Sequence, residues 1–183
     1  LKGLRGGVDE LKALGAAAAT SGSLSMIYFE RVTPGWRNQE VEHLRKERVS
    51  EKEVLSVFET LSEVPPDEVD LVAIGCPHAS LDEAVKVAEE LRGRKVKRGK
   101  KLWIFTSTSV RSALIRGGYY SLIRGAGGKV YCDTCVVVSP IRRMGVKAIA
   151  LNSAKAARYV RSIPGIRTLF CRTSECVKAV ITG

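Results

Sequence analysis

Val69-Asp70-Leu71-Val72-Ala73-Ile74-Gly75-Cys76-Pro77-His78-Ala79-Ser80 is the stretch on which the fold of this chain turns. Val69 to Ile74 is dominated by apolar residues, the pattern of a strand covered on both faces, and it stops at Gly75-Cys76. Ser80 with Glu83 three places on makes a capping box, which opens a helix over Leu81 to Leu91. Strand, tight loop and helix in succession are the unit of a parallel α/β sheet.

The same grammar recurs downstream. Leu102 to Phe105 reads as strand, Thr106 to Ser109 as loop, and Val110 to Arg124 as a helix interrupted at Gly117-Gly118. Val130 to Val138 and Ala148 to Leu151 read as strands, Ser153 to Arg161 as helix, Thr168 to Phe170 as strand and Ser174 to Ile181 as a closing helix. The expected fold is α/β, a mostly parallel sheet flanked by helices on both faces.

Upstream the pattern is looser. Leu1 to Gly7 reads as a loop, Leu11 to Ala19 as helix and Leu24 to Phe29 as strand, and Thr33-Pro34-Gly35 then breaks the regular structure. Gln39 to Arg48 is strongly charged, with only Val41 and Leu44 apolar, and belongs on the surface. Ser50 and Glu53 make another capping box, and Val54, Leu55, Phe58 and Leu61 share one helix face before Pro65-Pro66. One domain over 1–183 is expected, with 1–48 as a connecting segment and 49–183 as the α/β core. Because the chain opens at Leu1, a longer parent chain is also expected.

At 183 residues and 45% hydrophobic content the chain can bury one core. No apolar stretch approaches the roughly 18 residues of a membrane-spanning helix, and no secretory signal pattern opens the chain, so a cytoplasmic protein with no membrane partner is expected. The net charge of +11 attracts anions. Seven of the ten residues from Arg92 to Lys101 are basic, but they join a helix to a strand and read as a solvated loop. Basic residues elsewhere are dispersed and the aromatics match no nucleic-acid motif, so an anionic small molecule is the expected partner rather than nucleic acid.

Ligands of such sheets bind beyond the carboxyl ends of the strands, which directs attention to four loops. Cys76 projects from the first as either a soft-metal ligand or an inert buried thiol, and His78 and Ser80 as ligand groups or helix caps. Thr106, Ser107 and Ser109 offer hydroxyls where a helix begins, suited to a phosphate or carboxylate or simply to capping. Cys132-Asp133-Thr134-Cys135 has spacing shared by redox, zinc and cluster sites, and with Cys171 and Cys176 could make a four-cysteine zinc site. Asn152 and Ser153 can cap the next helix while Lys155 faces an anionic group. No Walker loop and no Gly-x-Gly-x-x-Gly stands at these turns, which removes support for nucleotide binding.

Taken together, Gly75-Cys76-Pro77-His78-Ala79-Ser80, Asp133-Thr134-Cys135 and Asn152-Ser153-Ala154-Lys155 resemble the aconitase X family signature in order and spacing. The likeness extends to Leu14-Gly15-Ala16-Ala17-Ala18-Ala19, Val32-Thr33-Pro34, Glu175-Cys176-Val177 and Gly183, and covers about the second half of the family's large subunit.

The resemblance implies an aconitase-like three-layer domain and an iron-sulfur hydro-lyase. It makes Cys76 and Cys135 two ligands of a cluster of the four-iron rather than two-iron type, with a third ligand from the amino-terminal half of the large subunit. It implies substrate binding by His78, Ser80, Thr106, Ser107, Ser109, Asn152, Ser153 and Lys155, and a general base, a serine, on a small swivelling-domain subunit. Family members dehydrate 5-phosphomevalonate in the archaeal mevalonate pathway of isoprenoid synthesis, or hydroxyprolines in bacteria. The first is the expected reaction, giving trans-anhydromevalonate 5-phosphate, with the chain inactive alone. Between Met26 and Trp36 the chain departs from the family, which has a histidine near Tyr28, a glycine near Arg31 and Glu-Ala after Thr-Pro, where Gly35-Trp36 stands here. The alternative from another class is a basic, non-catalytic zinc or nucleic-acid-binding module.

Overall fold

The computed structural model describes residues 1–3 and 6–182; the expected loop over 1–7 and the likeness at Gly183 therefore lie partly or wholly outside the described residues. Among the described residues five strands form one sheet: β1 (Leu71–Ala79), β2 (Lys101–Thr106), β3 (Lys129–Cys132), β4 (Ala148–Leu151) and β5 (Arg167–Phe170). Their order is β3-β2-β1-β4-β5, and every neighbouring pair is parallel. The helices are α1 (Val8–Gly22), α2 (Glu51–Thr60), α3 (Leu81–Glu90), α4 (Thr108–Arg116), α5 (Tyr119–Gly125), α6 (Ala154–Val160) and α7 (Thr173–Val180).

Alternation along the strands divides the core in two. Val72, Ile74, Leu102, Ile104, Ala148 and Ala150 face α3, α4, α5 and α7 through Val87, Leu91, Leu114, Ile123, Val177 and Val180. Leu71, Ala73, Trp103, Phe105, Ile149 and Leu151 face the other way, onto Ala156, Ala157 and Val160 of α6 and onto Val136, Ile141 and Val146. Both faces of the sheet are thus covered, giving the three-layer α/β arrangement expected, and β1 is apolar throughout its first half because both its faces are buried.

Local signals place most helices. Ser50 and Ser80 accept hydrogen bonds from the Glu53 and Glu83 amides at 3.3 and 3.1 Å, closing both capping boxes. The expected break at Gly117-Gly118 separates α4 from α5, with Gly118 at φ +78°. The basic run after α3 is largely exposed, hooked down by Val96 pairing with Ile181.

One expected strand is absent and another is cut short. Leu24 to Phe29 forms no strand: it does not join the sheet, whose edge strands are β3 and β5, and Leu24 and Met26 remain 53% and 68% exposed. Val130 to Val138 is not one strand, because β3 stops at Cys132, Asp133 turns the chain at φ +56°, and Val136 to Val138 coil into a single 3-10 turn. In the opposite sense, β1 runs past Ile74 to Ala79, with its register against β2 broken between them.

Candidate functional site

The break in β1 is where the site begins. Gly75 sits at φ +104°, and a Cβ there would lie 2.1 Å from the Phe105 carbonyl oxygen, so only glycine lets β1 pass β2 at this point. The chain then lifts Cys76, Pro77 and His78 to the rim. The strand order also changes direction here, since β2 and β3 lie on one side of β1 while β4 and β5 lie on the other. Loops leaving adjacent strands toward opposite sides open a crevice between β1 and β4.

A cavity of about 320 Å³ occupies this rim, lined by Gly75, Cys76, Pro77, His78, Cys135, Val137, Val138, Lys155 and Tyr159. Cys76 arrives from β1 and Lys155 from the first turn of α6. Cys135 comes from the far edge strand, carried inward by the loop after β3. Two contacts hold that loop: the Thr108 hydroxyl and amide donate to the Asp133 carboxylate, and His78 Nε2 donates to the Thr134 carbonyl at 2.9 Å. The Thr108 hydroxyl also holds the Asp133 carboxyl below its ordinary pKa.

Burial and the neighbouring Cys135 push the Cys76 thiol pKa up, while the Lys155 ammonium and the Ser153 hydroxyl oppose them. Two thiols that repel each other's ionised form favour a bound cation, which both thiolates would share. Soft sulfur donors suit zinc, copper(I) or iron-sulfur centres. Among the described residues, however, no group of three or more His, Cys, Asp or Glu side chains is placed to hold a metal ion. The pair fits as part of a donor set that other polypeptide would complete.

Of the residues singled out in the sequence, the structure brings Cys76, His78, Cys135 and Lys155 to the cavity, with Ser153 beside Cys76. It does not bring the others there. Ser80 caps α3 and donates to Asp9 at 2.8 Å. Thr106 is fully buried and donates to the Ala79 carbonyl at 2.6 Å. Asn152 donates to the Thr173 hydroxyl at 3.1 Å, linking the loops after β4 and β5, while its buried Oδ1 has no protein partner. Ser107 caps α4 and shares a 2.8 Å hydrogen bond with Ser109, exposed at the end of β2. The four-cysteine zinc site is not formed, because Cys132 and Cys171 end opposite edge strands.

Three residues of the cavity wall escape the sequence reading. Tyr159 lies one turn beyond Lys155 on the same helix face, a spacing that could have revealed it. Val137 and Val138 read as strand instead. A fourth residue, Lys12 of α1, gives no signal at all: its ammonium donates to the His78 carbonyl at 3.1 Å and to Glu83 at 2.5 Å, and pairs with Asp9 at 3.1 Å. This clamp fastens α1 to the loop that carries Cys76.

Comparison with known proteins agrees with this organisation. Residues 69–182 match the model of the aconitase X third domain and residues 1–59 that of the aconitase X second domain. The large subunit of phosphomevalonate dehydratase from Methanocaldococcus jannaschii is 40% identical over 172 residues, which is 93% of this chain and 42% of that protein. A cis-3-hydroxy-L-proline dehydratase from Pseudomonas aeruginosa is 30% identical over 186 residues, 96% of this chain and 31% of that one. The crystal structure of Thermococcus kodakaraensis aconitase X in its holo form superposes with a TM-score of 0.90 at 34% identity, covering 98% of this chain and 46% of that one. The chain thus spans about two fifths of the length of the phosphomevalonate dehydratase relatives it matches. With a third-domain match over more than half its length, preceded by a second-domain match, the chain belongs to the aconitase X family.

Proposed function

We propose that this chain is the carboxyl-terminal part of the large subunit of a hydro-lyase that removes water from (R)-5-phosphomevalonate. The observation that carries the reading is the convergence of Cys76 and Cys135, from separate loops, on one cavity that Lys155 also lines. The relatives named as phosphomevalonate dehydratases support the phosphorylated substrate, and the net charge of +11 suits it. Further large-subunit polypeptide would supply the third cluster ligand, and a small subunit would supply the general base. Residues 1–48 would then connect that polypeptide to the α/β core of 49–183, in a cytoplasmic enzyme of the mevalonate pathway.

Cys76 and Cys135 would hold an iron-sulfur cluster, of four irons in this reading. When bound, its open iron supplies Lewis acidity toward a hydroxyl leaving group. Lys155 places an ammonium where an anionic substrate group would lie, and Ser107 and Ser109 offer exposed hydroxyls along the same rim. His78 has its Nε2 proton committed to Thr134, so its role is to hold the Cys135 loop rather than to move that proton. Val137, Val138 and Tyr159 form the apolar part of the wall and would limit water around the reacting carbon.

The test is anoxic reconstitution of the full large subunit with its small subunit, then product analysis. Dehydration of 5-phosphomevalonate, with Cys76→Ser and Cys135→Ser each losing both iron and turnover, is the expected result. Turnover of a hydroxyproline with none of 5-phosphomevalonate would overturn the substrate but leave the reaction class. Full iron content in both variants would remove the ligand assignment.

A further inference from the structure

Cys171 and Cys176 stand apart from the cavity that holds Cys76 and Cys135. Cys171 comes directly after β5 and is half-buried, while Cys176 lies in α7 and is fully buried. With Arg172 as the helix cap, Cys171 is the residue before the cap and Cys176 the fourth residue of the helix. Those are the two positions of a hydrophobic staple, the contact that fixes how a chain enters a helix. Here both members are thiols, and their sulfurs lie 3.1 Å apart.

A disulfide needs sulfurs about 2.05 Å apart, so roughly 1 Å of approach separates the staple from a bond, a distance small side-chain rotations can cover. The partners are chemically unequal. The hydrogen bond to Cys171, then burial, push the Cys176 pKa well up, so Cys176 stays protonated and hidden. Cys171 is the reachable member, and Thr173 between them is tied to Asn152.

We infer that Cys171 and Cys176 are an oxidisable pair, a modification site at which a small-molecule disulfide converts the staple into an intrachain disulfide. The Cys171 thiolate attacks the disulfide, forming a mixed disulfide and releasing one thiolate. Cys176 then attacks the Cys171 sulfur, giving up its proton and releasing the second thiolate. Two cysteine thiols are oxidised, and one small-molecule disulfide is reduced to two thiols. The pair does not depend on the dehydratase reading, because neither sulfur lines the cavity.

The experiment equilibrates the protein in oxidised and reduced glutathione, quenches with acid, alkylates and maps peptides by mass. The expected product is a Cys171–Cys176 cross-link, two hydrogens lighter, formed with no lasting glutathione adduct. Cys176→Ser should instead retain glutathione on Cys171, Cys171→Ser should give neither product, and Cys132→Ser should behave as the unaltered protein. A lasting glutathione adduct on Cys171 of the unaltered protein, or no reaction at either cysteine in the most oxidising mixture, would overturn the inference and leave the pair as a packing contact only.

Discussion

The sheet unit and the amino-terminal third are held by different means. α3, α6 and α7 each bury three or four residues, and the strands between them are almost wholly enclosed. α1 and α2 bury none completely. In α2 the apolar residues Val54, Leu55 and Val57 are about half exposed, and Phe58 stacks on Phe170 with ring centroids 4.6 Å apart. α1 packs on α6 with Gly15 to Ala18 half-buried, and the polar clamp of Lys12 and Asp9 on Glu83, His78 and Ser80 ties it to the sheet unit. A good cap can start a helix anywhere, but burial of an apolar face is what makes it stable. The amino-terminal region therefore rests on a few nameable contacts and the sheet unit on a distributed core.

The largest effects should come from the core. Leu102→Ala removes a fully buried strand residue and should cost about 2–5 kcal/mol in urea unfolding, whereas Leu55→Ala should stay within about 0.5 kcal/mol. Equal costs would erase the contrast. Gly75→Ala comes next, at about 2–4 kcal/mol, because its Cβ meets backbone that cannot withdraw; thermal unfolding would show it.

Lys12→Met should cost about 1–3 kcal/mol, concentrated in faster hydrogen exchange of α1 with the sheet amides unchanged. The clamp also predicts a pH dependence. Burial opposes ionisation of both Asp9 and Lys12, but the Ser80 hydroxyl and Lys12 still lower the Asp9 pKa, and Glu83 and Asp9 still raise that of Lys12. A lowered carboxyl pKa stabilises above its unfolded value of 3.8 and loses that contribution as pH falls through the folded one. A raised ammonium pKa stabilises fully below 10.5 and loses that contribution as pH rises through the folded value. Protection of α1 relative to the intrinsic exchange rate at each pH should thus be greatest between these limits, and protection unchanged at either end would remove the clamp from the account. A smaller loss than that of the clamp, about 1 kcal/mol, is expected from Phe58→Ala, read as lost protection in α2 alone.

How far the sequence could be read depends on the range of each interaction. The capping boxes at Ser50 and Ser80 and the glycine break at 117–118 are settled within a few residues, so they were legible. Leu24 to Phe29 looked like a strand because its composition permits one, but a strand also needs a partner edge, and this segment pairs with neither β3 nor β5. At the site, Cys76 and Lys155 could be found because each comes soon after the apolar run of a strand, Val69 to Ile74 and Ala148 to Leu151, whereas Ser80 and Thr106 sit at comparable strand ends and are spent on internal hydrogen bonds.

The sequence by itself determined the alternation of strands and helices, the buried faces and the thiols available at the rim, since periodicity and caps act locally. Only the tertiary structure decided that β4 lies beside β1, that the Asp133 turn carries Cys135 across from the edge to Cys76, and that Lys12 reaches His78. Those outcomes join residues far apart in the chain, and they are fixed by which hydrogen-bonding edges and apolar faces remain unpaired once the rest has folded.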